Sequence, residues 1–515
     1  MNLLNRLSQR RLLVPSRMRR AMTHDGQFMP KLNAGGTAWQ DQDWETTAAG
    51  ILVRNTAMDG LIYIAGFGDS ITARSVFAGS TQIGYNSGAG GYLGWVQALC
   101  YGRIWMPLVG TIDTAAAMTK QVDWCKGVSG ETTSDMLLRL GDVINLSPRP
   151  KMVFFLGGTN DLTVAATRGD SALVMFNRWK TIVNAFLAAG IIVVCLTILP
   201  RGQVAGGAPG SRPGWSTLSD AEIITARGKL NDFNSYIRAF CANTNNTILV
   251  DPWARLVDWT STTGDALSSL TDLNDFLHPN DLACYYIGDE CRIALANSYL
   301  AINEVSAFMG SGDAYDVTNQ PYGSMNDGSH AVGTAGTATA PFSAGAGGVP
   351  TLWTYNKLSG TGTGDSAVVQ KQLRSDGRPG WESNIVYAGP SAVAANQYRG
   401  YWNGSVINAA NFVAGDAWQA SCEVTVVSSS GAFMAPDLYV RQNTGNVYAL
   451  KRSTVDVPGA YKMWLRTPII IQPAAVSALN FWTLDQVGIG GAATVNRRNM
   501  QLRKYNKAVA GALAF

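Results

Sequence analysis

The sequence predicts an α/β domain built on a mainly parallel sheet with helices on both faces, followed by an all-β sandwich. Three observations carry this. Between residues 56 and 305, short apolar runs alternate with amphipathic helical patterns. Residues 351–515 instead show short alternating strands, frequent turns and many aromatics. Between the two, residues 306–350 are rich in Gly, Ala, Ser and Thr and read as a linker.

The expected strands of the first region are Leu61–Gly66, Met152–Leu156, Ile191–Leu199 and Thr247–Val250. They are short, apolar and bounded by turn residues, as strands covered on both faces should be. Helical patterns fall between and after them at Tyr92–Cys100, Ser134–Leu146, Ser171–Ala189, Asp220–Cys241 and Asp281–Asn303, with Ser134 and Asp220 expected as N-caps. In such a sheet a ligand crevice lies beyond the carboxyl ends of the strands. In the second region, Ala420, Cys422, Val424 and Val426 alternate onto one face. Further strand signals fall at Asp437–Arg441, Asn446–Lys451, Leu479–Val487 and Asn499–Arg503.

The chain of 515 residues is too long for one ordinary core, and only 15% of it is charged. Its net charge of +4 is concentrated at the start. Residues 1–55 form an arm in which Arg6, Arg10, Arg11, Arg17, Arg19, Arg20 and Lys31 face Asp25 alone within the first 31 positions. The remainder is close to neutral, which argues against nucleic acid as the main ligand and favours a neutral substrate such as a sugar ester. The arm lacks the apolar core of a secretory signal, and no apolar run has the length of a membrane span. Seven cysteines, an odd number with no C-x-x-C, read as free thiols rather than a disulfide framework or a zinc site.

Only three histidines occur: His24 in the arm, His330 in the linker and His278 in the α/β region. His278 is therefore the candidate base, although a histidine just before a helix can equally cap backbone groups. Ser70 follows the first strand within Gly66-Phe67-Gly68-Asp69-Ser70-Ile71-Thr72, either as a nucleophile at the strand's end or as an ordinary N-cap. It is not in a G-x-S-x-G elbow. Asn160, in Gly157-Gly158-Thr159-Asn160-Asp161, offers an amide donor or an Asx-turn. Gly130, in Val128-Ser129-Gly130-Glu131, offers a bare N–H or a tight turn.

Taken together and in order, these segments resemble the four blocks of the SGNH (GDSL-like) hydrolase superfamily. Gly68-Asp69-Ser70-Ile71 is similar to the nucleophile block, with Ile71 where the GDSL name has Leu. Gly127–Thr132 resembles the glycine block, Gly158–Asp161 the asparagine block, and Asp275-Phe276-Leu277-His278-Pro279 the final Asp-x-x-His block. The resemblance covers residues 56–305. It implies a three-layer α/β/α domain that uses no metal or cofactor and hydrolyses esters through an acyl-enzyme. Ser70 would be the nucleophile, His278 the base and Asp275 its orienting partner, while Ser70, Gly130 and Asn160 would form the oxyanion hole.

The second region resembles the jelly-roll modules of carbohydrate-active enzymes and phage tail proteins. Tyr401 and Trp402 are its candidate exposed pair for a glycan. The whole architecture resembles tail-spike-type esterases that remove acetyl groups from bacterial surface polysaccharide. The resemblance implies a glycan ester as substrate and an extracellular, virion-attached setting, with the arm docking to tail proteins and a homotrimer. A cytoplasmic enzyme fits the absent signal equally well. A lipase or acyl-thioesterase of the same fold, or a glycan-binding tail protein with little turnover, are the competing functions.

Overall fold

The computed structural model describes residues 31–32, 39–40, 44–46, 52–54, 62–79, 82–86, 91–112, 118–202, 213–215, 218–261, 264–272, 275–298, 324–325, 331, 333–359, 365–377, 380–389, 399–405, 409–442, 445–451, 457, 459–472 and 479–505. Residues 1–62 and 63–515 are separate compact units. Within the first, two short antiparallel ladders pair Lys31–Leu32 with Trp39–Gln40 and Trp44–Thr46 with Leu52–Arg54. The Arg-rich stretch of the arm, with its expected docking role, and residues 306–323 of the expected linker lie outside the described residues. The end of that expected linker instead forms strands Ala335–Ala338 and Phe342–Ala344 of the C-terminal sheets, because their backbone pairs with strands Val349–Ser359 and Ser366–Leu373.

The α/β region runs β1 (Ile62–Gly68), β2 (Val76–Gly79), β3 (Gln82–Asn86), α1 (Tyr92–Leu99), β4 (Leu108–Ile112), β5 (Met118–Asp123), β6 (Cys125–Gly127) and α2 (Thr133–Leu137). It continues with β7 (Met152–Leu156), α3 (Ala172–Ala188), β8 (Ile192–Leu196), α4 (Asp220–Ala242), β9 (Thr247–Val250) and α5 (Asp281–Ser298). A parallel sheet of order β6-β1-β7-β8-β9 forms its centre. Every residue of β7 and β8 is buried, which is why these strands read as unbroken apolar runs rather than alternating ones.

The helix starts differ from expectation in an instructive way. Thr132, not Ser134, caps α2, and Ser219, not Asp220, caps α4. Each forms a capping box with an acid three residues on, Asp135 and Glu222 respectively. The hydroxyl must sit outside the first turn to reach the N3 amide, so the acid at N3 decides the register. The pattern expected as one helix to Leu146 is broken, with a second helical turn at Gly141–Ile144.

The C-terminal region forms two mostly antiparallel sheets, each completed by a hairpin from the α/β region. β3 of the β2–β3 hairpin lies parallel to Gly445–Lys451, and β4 of the β4–β5 hairpin lies parallel to Ile469–Ile471. The sheets meet through buried side chains. The Tyr355 and Ser383 hydroxyls share a hydrogen bond of 2.6 Å, and the Tyr387 hydroxyl donates to Asp485 at 2.7 Å. Around Arg497 and Arg498 lies a buried cluster of ions. Arg498 pairs with Glu423 (2.7 Å) and Glu382 (3.0 Å), and Arg497 pairs with Asp485 (2.5 Å). Tyr101, just after α1, donates to Glu423 at 2.9 Å and accepts from Arg498 at 2.9 Å. One ionic cluster thus fastens the α/β region to the sandwich.

Tyr401 and Trp402 lie in the strand Arg399–Ser405, paired to Val349–Ser359 on one edge and Leu479–Val487 on the other. Their side chains are outside the described residues. The seven cysteines are free thiols, and Cys241 alone is partly exposed. No helix among the described residues is long and apolar enough to cross a membrane.

Candidate active site

Parallel register brings three of the four sequence blocks to one level. Gly68 at the end of β1 is the partner of Gly127 at the end of β6 and of Leu156 at the end of β7. The loops carrying Ser70, Gly130 and Asn160 therefore leave the sheet side by side at its carboxyl rim. Gly68 suits this junction because an added Cβ would overlap the Leu156 carbonyl oxygen and the Thr72 hydroxyl.

Asp69 ends the strand and caps the helical turn Ser70–Ala73, its Oδ1 accepting the Ile71 N–H at 3.0 Å. This fixes Ser70 at the start of a helical turn, nearly buried. Burial pushes the Asp69 carboxyl up to about 7, against the Ile71 hydrogen bond and the nearby charge of Arg201.

His278 reaches Ser70 from the far end of the sequence. Its Nε2 lies 2.8 Å from Ser70 Oγ, and its Nδ1 lies 2.5 Å from Asp275 Oδ2. The Asp-x-x-His spacing explains this locally. Asp275 Oδ1 accepts the backbone N–H groups of Leu277 (3.0 Å) and His278 (2.9 Å), which leaves Oδ2 for the imidazole. An ionised carboxylate only accepts, so Nδ1 carries the proton and Nε2 presents its lone pair to the serine hydroxyl. Burial holds the His278 imidazole below its ordinary value, helped by the charge of Arg74, although Asp275 opposes this. Burial would raise Asp275, but hydrogen bonds from the His278 N–H, the imidazole and the Leu277 N–H hold it below the usual carboxylate range.

Gly130 sits at φ +83°, where a side chain would be strained, in a turn anchored by Val128 N–H donating to Gly68 O at 3.0 Å. Asn160 opens a single 3₁₀ turn and donates one amide hydrogen to Glu131 O at 2.9 Å. The amide has a second hydrogen. The asparagine loop is thus hydrogen-bonded to the glycine loop beside the serine.

Supporting residues without any local sequence signal complete the rim. Arg139 donates to Gly68 O (2.9 Å), Lys126 O (2.7 Å) and Glu131 (2.5 Å), and its guanidinium lies 4.3 Å from the Phe67 ring centroid. It clamps the ends of β1 and β6 together. Buried Asp161 accepts from Thr133 N–H (2.8 Å), Thr133 Oγ1 (2.6 Å) and Arg178 (3.2 Å), tying the asparagine loop to α2. Buried Arg201 donates to Thr159 O at 2.5 Å and to Gly214 O at 2.8 Å. A hydroxyl relayed through an oriented imidazole to a carboxylate, beside amide donors, defines a serine acylhydrolase site.

The family match agrees with this site. Residues 67–283 match the GDSL-like lipase/acylhydrolase family, and this segment is a GDSL-like domain of the carboxylic ester hydrolases. No curated protein matches the chain. Similar solved structures include a GDSL-like lipase from Bacteroides thetaiotaomicron, at 20% identity over 47% of this chain and 87% of that one, with a TM-score of 0.30. A lipolytic protein of the G-D-S-L family from Desulfitobacterium hafniense is 14% identical over 45% and 99%, TM-score 0.30. A variant of an acetyl-xylooligosaccharide esterase from Geobacillus is 15% identical over 46% and 96%, TM-score 0.32. The assignment of the domain rests on the family match and on the site's chemistry.

Proposed function

We propose that this protein hydrolyses O-acetyl esters on a carbohydrate through an acyl-enzyme at Ser70. The observation that carries the reading is the unbroken relay from the Ser70 hydroxyl through His278 to Asp275. Ser70 Oγ attacks the ester carbonyl as His278 Nε2 takes its proton, and Asp275 holds the resulting imidazolium. The N–H groups of Ser70 and Gly130 and the free amide hydrogen of Asn160 receive the oxyanion. Collapse breaks the bond to the sugar oxygen, which takes the proton from His278 and leaves as a hydroxyl. Water then attacks the acetyl-enzyme by the same route and releases acetate.

Because burial keeps His278 below its ordinary value, the imidazole is neutral and ready to accept a proton at neutral pH. The low charged fraction, 15%, favours a neutral glycan over a polyanion. The test is acetate release from a panel of acetylated bacterial surface polysaccharides, run beside Ser70→Ala. Release by the natural chain and none by the variant is expected. A preference for p-nitrophenyl octanoate over acetate would instead assign the site to a lipase or acyl-thioesterase. Glycan binding without release would make the chain a binding protein.

A further inference from the structure

A cleft of about 440 Å³ opens between α4 and the segment that follows β9, away from the Ser70 relay. One wall is the α4 stripe Ile224, Gly228 and Asn231, spaced to share a helix face. The other holds Trp253, Asp258 and Trp259. Trp259 is 75% exposed and Ile224 66% exposed. Trp259 is nevertheless held in place, its indole N–H donating to Ala254 O at 3.1 Å. Gly228 stands in mid-helix, where glycine costs stability, and a Cβ there would meet nothing within 4 Å. Its missing side chain keeps the cleft open.

The cleft shares a rim with the catalytic serine. α4 follows β8 and returns the chain to the start of β9, so its first turns lie near the carboxyl ends of the strands. Trp253 comes three residues after the end of β9. In the order β1-β7-β8-β9, this edge lies three strand spacings from the Ser70 strand, about 14 Å. A physical link joins them. Trp215 lies between Arg227 of the cleft (5.6 Å) and Arg201 (5.0 Å), and Arg201 holds Thr159 beside Asn160.

We propose that this cleft is a distal glycan subsite, in which the C–H face of a pyranose ring stacks on Trp259 while its hydroxyls meet Asn231 and Asp258. A flat, pinned aromatic bordered by an exposed amide and an acid matches a ring with one apolar face and a polar edge. Several rings would separate this sugar from the one that carries the acyl group. The inference rests on the carbohydrate reading of the Ser70 site and deepens it.

The test is isothermal titration of the Ser70→Ala chain with xylohexaose, cellohexaose, maltohexaose and chitohexaose and with their disaccharides. At least one hexaose is expected to bind more tightly than its disaccharide. Adding Trp259→Ala should weaken that binding about tenfold, Trp259→Phe should retain part of it, and Gly228→Leu should fill the cleft and remove it. A circular dichroism melt confirms that each variant is folded. Binding of none of the four hexaoses, or binding indifferent to Trp259 and Gly228, overturns the subsite. Hydrolysis of p-nitrophenyl acetate by the natural chain is measured separately. Its absence would sink the esterase reading without touching the titration result.

Discussion

The catalytic rim and the sandwich interior both bury polar groups, but they satisfy them differently. At the rim, Asp275, Asp69 and Asn160 are held by backbone groups close in sequence or in adjacent loops, so that Ser70 Oγ, His278 Nε2 and one amide hydrogen face the reaction. In the sandwich, Arg497 and Arg498 are paired with Asp485, Glu423 and Glu382, all fully or almost fully buried. Burial alone would lower both arginines, but the surrounding carboxylates and phenols raise them above their ordinary value. The difference teaches what each region is for. A site that must bind and release keeps hydrogen-bonding capacity facing its substrate, whereas a joint that must hold sets buried charge against buried charge.

Substitutions can break this contrast. Ser70→Ala should lower kcat on p-nitrophenyl acetate by about 10⁴–10⁶-fold while the thermal midpoint stays near that of the natural chain. A large loss of stability with it would mean that the rim is also a structural joint. Arg498→Leu should do the reverse. It leaves Glu382 buried without Arg498 and Glu423 with Arg374 only at 3.9 Å, which costs about 3–5 kcal/mol of stability, read by urea unfolding, with turnover per folded molecule largely kept. Unfolding at the natural urea midpoint would remove the cluster from any supporting role. Asn160→Ala falls next, with kcat expected to drop about 10²–10³-fold and KM to change little. An unaltered kcat would take Asn160 out of the reaction.

The same contrast governs what the sequence makes legible. Ser70, Gly130, Asn160 and the Asp275–His278 pair stand out because each geometry is local: a strand end, a left-handed glycine, a short turn and an Asp whose Oδ1 caps its own loop. β7 and β8 are legible because burial on both faces forces an apolar run. β2 to β5 are not, because what makes Gln82–Asn86 a sheet strand is a partner at Gly445–Lys451, far along the chain. Arg139 and Arg201 are hidden for a related reason. They act on backbone carbonyls, Gly68 O and Thr159 O, and a carbonyl acceptor leaves no mark in the choice of side chain. The shared cluster of Tyr101, Glu423 and Arg498 joins residues up to 397 positions apart, and only the folded chain shows it.

The smallest expected effect is the sharpest probe of the relay. His278 must be neutral to accept the serine proton, so kcat/KM should rise with pH and level off once the imidazole loses its charge. Burial depresses that titration first, and Arg74, whose guanidinium lies 3.9 Å from Asp275 Oδ2, depresses it further, while Asp275 and Asp272 oppose both. The midpoint of the acid limb should therefore lie below about 6.5, the value of a free imidazole. Arg74→Gln removes a positive charge near the ring, which makes the imidazolium less costly and raises its pKa. The acid limb should then move to higher pH by a few tenths of a unit, about the size expected of a partly exposed charge. Because Arg74 is partly open to solvent, the separation between the two profiles should narrow in high salt, whereas the depression caused by burial should persist. A limb that stays still, or that moves to lower pH, would mean that the ring does not feel Arg74 and that the titrating base is not His278.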